Sequence, residues 1–161
     1  MKRIGILAVL ITALSSATML FAAPGPAGLT GIGVYGSLGS TAGTLGGGIG
    51  LSLKWASFPV VGLKYDFNAT RFNASLDYYV IDAEGLASNL SYFLGVGAYA
   101  GIAGGSNGGN AAFDMGLRIP IGLQFWPVKK FELFFAPVLA VPLYPSPGFG
   151  FGAEFGARVR F

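Results

Sequence analysis

The amino-acid sequence predicts an all-β fold, an eight-stranded antiparallel up-and-down transmembrane β-barrel. Three observations support this prediction. Apolar and polar residues alternate along most of the chain, the charged residues fall on the polar side of that alternation, and no run of about 20 apolar residues follows residue 22. The chain is 53% hydrophobic and 11% charged, whereas soluble proteins carry about 25% charged residues, so the composition also favours a membrane protein.

The first predicted element is a signal peptide at residues 1–22, which leaves residues 23–161 as the barrel domain. Lys2 and Arg3 follow Met1, and the apolar run IGILAVLITAL comes next, as in secretory signals. Cleavage is expected after Ala22, with Ala17 as a weaker alternative. An uncleaved N-terminal anchor is the other interpretation of this segment.

Eight short alternating segments follow, and each is predicted to be a strand. In GTLGGGIGLSLKW, leucine and isoleucine alternate with glycine, serine and lysine; VVGLKYDFN and TRFNASLDYYV alternate in the same way. Gly, Pro, Ser and Asn separate the segments as turn signals, and an even strand count is typical of bacterial single-chain barrels. The predicted strands are 29–39, 43–55, 59–68, 71–81, 89–102, 111–126, 131–143 and 149–161.

The charged residues give a sharper test of the period. Four segments contain more than one charge, and within each segment all the charges lie on one side, opposite the large apolar residues. A Lys or Arg that faces lipid at the midplane costs about 2–4 kcal/mol, so this side is predicted to face the lumen. The predicted lumen network is Lys54, Lys64, Asp66, Arg71, Asp77, Asp114, Arg118, Glu132, Glu154, Arg158 and Arg160. The turns are predicted to hold Asp82, Glu84, Lys129 and Lys130.

One hairpin has a predicted register. A two-residue turn at residues 69–70 pairs Asn68 with Arg71, which sets Asp66 diagonal to Arg71 and Lys64 diagonal to Asp77, within reach for ion pairing. The lumen charges nearly balance, and an eight-stranded barrel is only wide enough to be filled by side chains. A charge-paired, filled interior is therefore favoured over a narrow channel.

Other residues refine the barrel prediction. Trp55, Tyr78, Phe125 and Phe131 fall near strand ends, where an interfacial aromatic girdle is expected. Pro120 lies inside a predicted strand, and its missing N–H predicts a bulge or distortion there.

A soluble, lipocalin-like barrel in the periplasm, with the apolar side inward and a bound small ligand, is an alternative. The glycine-rich, sparsely charged polar side favours the membrane interpretation.

Catalysis is difficult to build from this composition. The chain has no His and no Cys, which removes the usual general base, the thiolate nucleophile and most transition-metal ligands. The glycine pattern GIGVYG lacks the strand–turn–helix context of a dinucleotide site. No basic stripe indicates nucleic-acid binding. The sequence therefore predicts no enzyme activity, no cofactor and no metal or nucleic-acid site.

The barrel domain resembles the eight-stranded outer-membrane barrels typified by OmpX and the OmpA membrane domain. The segment GLRIPIGLQFWPVKKFELFFAPVLAVPLYPSP is similar to a pattern in uncharacterised barrels of that type, including spirochaetal ones. In that pattern an Arg-x-Pro-x-Gly-Leu strand, here Arg118, Pro120, Gly122 and Leu123, precedes a short turn and a Phe-rich strand ending in prolines.

The C-terminal strand is similar to the assembly signal of this class of barrel. The terminal Phe161, with the apolar Val159 and Phe155 two and six residues before it, resembles the signal read by the outer-membrane insertion machinery. The resemblance implies a bacterial outer-membrane location, with lipid and that machinery as partners, and a monomer. A structural or surface role without catalysis is the first functional hypothesis, and a narrow OmpW-like channel for small or amphipathic solutes is the second.

Overall fold

The structure, a computed structural model, describes residues 30–41, 44–55, 58–104 and 112–161; the predicted signal peptide at residues 1–22 lies outside these ranges. Eight antiparallel strands form a closed barrel in sequence order, so the predicted all-β, up-and-down fold is confirmed. No helix in the described ranges is long and apolar enough to cross a bilayer. The strands are β1 Gly31–Thr41, β2 Thr44–Lys54, β3 Val60–Asp66, β4 Arg71–Ala87, β5 Leu90–Ala103, β6 Ala112–Val128, β7 Phe131–Tyr144 and β8 Gly150–Arg160.

The barrel closes between its first and last strands. Gly31 pairs with Arg160 and Thr41 with Gly150, so β1 and β8 are matched along their whole length. This pairing leaves no free strand edge among the described strands, which is the condition for backbone groups to lie in lipid.

The strands are strongly tilted. Val60 lies opposite Lys54, one position beyond the Leu53–Val61 pair. The paired residues lead from Val60 round the barrel through Asp77, Gly97, Arg118, Ala140, Gly150 and Thr41 to Thr44. A circuit that starts at Lys54 therefore returns to β2 at Thr44, so the strands are staggered by ten residues around the barrel. Such a stagger in eight strands corresponds to a tilt of about 40° and to a lumen that side chains can fill.

The alternation in sequence becomes an alternation of inside and outside. From Asp114 to Trp126 in β6, every second residue is buried and the residues between them are exposed. The buried positions hold charged, polar and small side chains together with Trp126, whereas the exposed ones hold Phe, Met, Leu and Ile. The lipocalin-like alternative required the apolar side to face inward. The structure has the reverse orientation, and that alternative is wrong.

Strand β4 is longer than the sequence predicts. It runs to Ala87 because register shifts against β5 follow Tyr79, Ile81 and Gly85, each inserting an extra residue. Ala83 adopts a φ of 54° within this irregular stretch. The extra residues interrupt the two-residue period and make the segment resemble a turn in sequence. The predicted turn positions of Asp82 and Glu84 are therefore wrong, whereas Lys129 and Lys130 do form the β6–β7 turn.

The predicted register of the β3–β4 hairpin is also wrong. Asp66, not Asn68, pairs with Arg71, and a four-residue turn at 67–70 joins the strands. The side chain of Asp66 causes the longer turn, because its Oδ1 accepts hydrogen bonds from the backbone N–H groups of Asn68 (3.2 Å) and Ala69 (3.1 Å). Thr70 completes the turn with a φ of 47°.

Pro120 distorts the sheet without adding a residue. It pairs with Val138 on β7, but the ladder to β5 is interrupted between the Leu94–Ile121 and Gly97–Arg118 pairs. The register is the same on both sides of the gap. The predicted distortion is thus an interrupted ladder, caused by the proline's missing N–H, and not a bulge.

The predicted aromatic positions are correct except for one residue. Trp55, Phe125 and Phe131 lie near the ends of β2, β6 and β7 at one end of the barrel. Tyr78 lies inside β4, because that strand continues to Ala87.

Candidate functional site: the barrel lumen

The lumen is lined by the inward-facing polar and charged side chains of the described strands and has two ends. We call the end that carries Gly31, Lys54, Val60 and Arg160, with the turns 88–89 and 129–130, the terminal end. The loop end carries the opposite strand ends, with the turn 67–70 and the connection 145–149. The inward charged side chains form one cluster near the terminal end and a second set of ion pairs that extends from the middle of the lumen toward the loop end.

The terminal cluster consists of Lys54, Asp82, Gln124, Glu132, Arg158 and Arg160. At its centre, Glu132 Oε1 accepts from Arg158 Nη1 at 2.8 Å, and Glu132 Oε2 accepts from Arg160 Nε at 2.6 Å. Gln124 Nε2 also donates to Glu132 Oε1 at 3.0 Å. These groups are buried, and charge-assisted bonds in such a site are short and strong.

Asp82 supplies the second carboxylate of the terminal cluster. Its Oδ2 lies 2.8 Å from Lys54 Nζ, and its Oδ1 lies 3.6 Å from Arg160 Nη2. Three cations therefore face two carboxylates. Sequence reasoning missed Asp82 because it lies in the irregular stretch of β4. The extra residues there break the alternation that would show which side of the strand Asp82 faces.

Aromatic side chains surround this cluster. Tyr79 stacks on Phe93 with ring centroids 4.6 Å apart, and the Arg158 guanidinium lies 4.1 Å from the Phe134 ring centroid. Arg158 Nη2 also donates to the Tyr79 hydroxyl at 3.1 Å, while Nε donates to Ser52 Oγ at 2.9 Å. An arginine on aromatic faces keeps favourable electrostatics where water is excluded.

Trp126 borders the terminal cluster through a hydrogen bond and a ring contact. Its indole Nε1 donates to Ser91 Oγ at 2.8 Å, and Ser91 donates in turn to Gln124 Oε1 at 3.1 Å. The Arg160 guanidinium lies 5.4 Å from the Trp126 ring. Trp126 shares its side of β6 with Asp114 and Arg118, a signal in the sequence that could have placed it in the lumen.

The middle of the lumen is crossed by a second set of ion pairs. Arg118 on β6 bridges two strands, with Nε 3.0 Å from Asp77 Oδ1 on β4 and Nη2 2.7 Å from Glu154 Oε2 on β8. The Arg118–Asp77 contact is a charge contact whose geometry does not make a hydrogen bond. Nearer the loop end, Arg71 Nη1 lies 3.1 Å from Asp114 Oδ2. The sequence-based pairing of Arg71 with Asp66 and of Lys64 with Asp77 is not found among the described residues.

Gly97 makes room for these charges. A Cβ at Gly97 would collide with Asp77 Oδ1 and with the Leu76 carbonyl oxygen. Its position, paired with both Asp77 and Arg118, explains why the polar side of this strand carries glycine. The glycines of the inward side thus offset the volume of the long charged side chains.

A cavity of about 130 Å³ lies between the central ion pairs and the loop end. Lys64, Asp66, Arg71, Asp114, Arg118 and Glu154 contribute its charged walls. In the described part of the chain, no group of three or more acidic residues is arranged to hold a metal ion.

Comparison with known proteins gives the fold a class. No protein-family model matches the chain, and no curated protein sequence does. The N-terminal β-barrel domain of OprF from Pseudomonas aeruginosa has a TM-score of 0.55 at 13% identity, covering 81% of this chain and 97% of that one. Neisserial surface protein A (NspA) has a TM-score of 0.53 at 14% identity, covering 84% of this chain and 98% of that one. The chain has the fold of the small eight-stranded outer-membrane barrels, as the sequence resemblance implied.

Proposed function

We propose that this protein is an integral barrel of a bacterial outer membrane with a structural or surface role, a closed lumen and no catalytic activity. The single observation that carries the proposal is the orientation of the wall. Large apolar side chains cover the outside, and the ion-paired charges of the described strands point inward.

The exterior supports insertion in lipid. Outward residues such as Leu38, Ile49, Leu76, Phe135 and Phe155 are about half exposed on the barrel surface. A water-soluble protein rarely exposes a continuous apolar surface of this extent. In a bilayer the same surface is favourable, and the closed sheet satisfies the backbone groups that lipid cannot.

The interior supports a closed lumen rather than a channel. Buried Glu132 on β7 is paired with both Arg158 and Arg160 on β8, and the Phe134 ring lies against the Arg158 guanidinium. A conducting path would have to break these contacts. The channel hypothesis therefore has less support than the filled barrel.

The C-terminal strand supports assembly by the barrel-insertion machinery. Phe155, Val159 and Phe161 all lie on the exposed side of β8 or directly after it, while Arg158 and Arg160 point inward. A strand with one apolar face of this kind presents a regular surface for recognition before the barrel closes. Because β8 then pairs with β1, the inserted barrel is expected to be a monomer.

The fold comparison supports a location at the cell surface. One of the similar solved structures is that of a neisserial surface protein. From the resemblance we carry over only the location, since identities this low relate folds and not ligands.

The test is migration on a detergent gel with and without boiling, after membrane fractionation of cells that produce the full chain. A compact form that boiling converts to a slower form, found in the outer-membrane fraction, is the expected result. A protein in the soluble periplasmic fraction with no such conversion would overturn the proposal. Planar-bilayer recordings then test whether the lumen conducts ions. No conductance is expected, and reproducible single-channel steps would overturn the closed interior.

A further inference from the structure

The β6–β7 turn distinguishes the two ends of the barrel by its charge. Among the connections between the described strands, only this turn contains charged residues, and both are lysines, Lys129 and Lys130. Every other charge of residues 23–161 lies within a strand. At the loop end, the described connections 67–70 and 145–149 contain no charged residue. The two ends therefore present different surfaces to the headgroup layer of a membrane.

No contact within the described residues accounts for these two charges. Both lysines are exposed, and neither forms an ion pair with a described carboxylate. The acids at the same end are Glu132 and Asp82, which bind the cations of the terminal cluster, and Glu84, which lies on β4, two strands from β6. Two-residue hairpin turns favour Asn, Asp and Gly, and adjacent like charges repel each other, so turn formation does not explain a Lys-Lys pair.

The turn is fixed directly above an apolar part of the outer wall. Val128 pairs with Phe131 across the turn, and the Arg160 N–H donates to the carbonyl oxygen of Lys130 at 2.8 Å. Val128 and Phe125, on the β6 side of the turn, are both exposed on the outer wall. A lysine at such a boundary lays its stem on the apolar surface and keeps its ammonium group in the polar layer. Both ammonium groups are therefore in reach of lipid headgroups.

We propose that the β6–β7 turn of the inserted barrel binds the headgroup of an anionic phospholipid. In this arrangement the ammonium groups of Lys129 and Lys130 meet the phosphate, and the acyl chains lie against Val128 and Phe125. The inference rests on the proposed function, because the lysines face headgroups only if the wall below them lies in lipid. It goes further by naming the lipid and the residues that select it.

Net charge favours an anionic lipid over a zwitterionic one. In phosphatidylcholine a trimethylammonium group compensates the phosphate and would lie beside two lysines, whereas phosphatidylglycerol has no such cation. One lysine near an anionic surface contributes about fivefold to the affinity. No carboxylate of the described turns opposes this attraction. Enrichment of phosphatidylglycerol at the turn by at least about fivefold is therefore expected.

The experiment measures which lipid surrounds each end of the full-length barrel in mixed vesicles. Phe125→Trp reports on the turn and Phe151→Trp on the outer wall at the loop end, each in a chain that also carries Trp55→Phe and Trp126→Phe. The vesicles contain equal amounts of phosphatidylcholine and phosphatidylglycerol, and one of the two lipids is brominated. Stronger quenching by brominated phosphatidylglycerol at position 125, with near-equal quenching by the two lipids at position 151, is expected. Equal quenching by the two lipids at position 125 would overturn the proposal.

Variants of the turn assign the preference to its charge. Lys129→Gln combined with Lys130→Gln should remove the preference at position 125, whereas the corresponding double arginine substitution should keep it. High salt should weaken it, because the attraction is between exposed charges. In vesicles of phosphatidylcholine alone the lysines have no anionic partner, so the glutamine substitutions should leave the stability of the barrel unchanged. A preference that persists in the glutamine variant would refute the site. A barrel that shows the boiling-dependent shift without any lipid preference refutes this inference alone and leaves the proposed function standing.

Discussion

Glu132 and Arg158 face each other across neighbouring strands, and their side chains join at 2.8 Å in the part of the lumen that water does not reach. The Glu132 side chain is 0% exposed and that of Arg158 is 3% exposed. Because Glu132 also accepts from Arg160, one carboxylate compensates two guanidinium groups. Of the two carboxylates in the terminal cluster, Glu132 is therefore the one whose loss should destabilise it most.

Glu132→Gln should lower the free energy of unfolding by about 3–5 kcal/mol, because it leaves the buried Arg158 without its paired carboxylate and Arg160 with only the more distant Asp82. Equilibrium urea unfolding in lipid vesicles measures the change. The matched control is Lys129→Gln in the exposed β6–β7 turn, where a change within about 0.5 kcal/mol is expected. Equal stabilities for the two variants would show that the cluster does not hold the barrel together.

Ile119→Lys should destabilise the inserted barrel by about 2–4 kcal/mol, because Ile119 points outward at the middle of β6, where lysine would face hydrocarbon. Val128→Lys changes an outward residue at the end of the same strand and should cost about 0–1 kcal/mol. Unfolding in vesicles compares the two. A smaller cost at Ile119 than at Val128 would contradict the membrane orientation of β6.

Gly122→Ala should cost about 1–3 kcal/mol, because the added Cβ would collide with the Phe93 ring and lie 2.9 Å from the Phe135 carbonyl oxygen. Gly104→Ala is the control, since no atom of the described residues lies within 4 Å of a Cβ there. The same unfolding assay measures both substitutions. Similar effects at the two glycines would mean that Phe93 does not fill the lumen beside β6.

Phe161→Ser should reduce the amount of folded protein in the outer membrane of cells severalfold, because the proposed assembly signal ends on this residue. The purified chain, refolded in detergent, should still show the boiling-dependent shift. Phe149→Ser, at an exposed aromatic residue of the β7–β8 connection, is the control and should leave the cellular yield unchanged. A yield that Phe161→Ser does not alter would remove the signal from the proposal.

The fold was predictable because the two-residue period survives in seven of the eight strands with little interruption. The exception, β4, shows what defeats such counting: Ala83 in the left-handed region and the neighbouring extra residues hide the continuation of the strand. Asp82, which reaches Lys54 from that stretch, was lost for the same reason.

The period in the sequence indicates which side of a strand a residue occupies, but not which side chain it contacts. Which side Arg71 faces follows from the period, whereas its partner depends on register across three strands. The Asp66 turn moved that register, and Arg71 meets Asp114 on β6 instead of Asp66. Pairings of this kind depend on loop geometry and barrel stagger, which a single sequence does not specify.

The central claim, an apolar wall facing lipid around a closed polar interior, is tested most directly by tryptophan quenching in vesicles of brominated lipid. Trp55→Phe leaves only Trp126, which is 4% exposed inside the lumen. Adding Trp126→Phe and Phe135→Trp leaves one tryptophan on the outer wall, at a position 50% exposed. We predict strong quenching of the tryptophan at position 135 and little of Trp126. Strong quenching of Trp126 with little at position 135 would contradict the account.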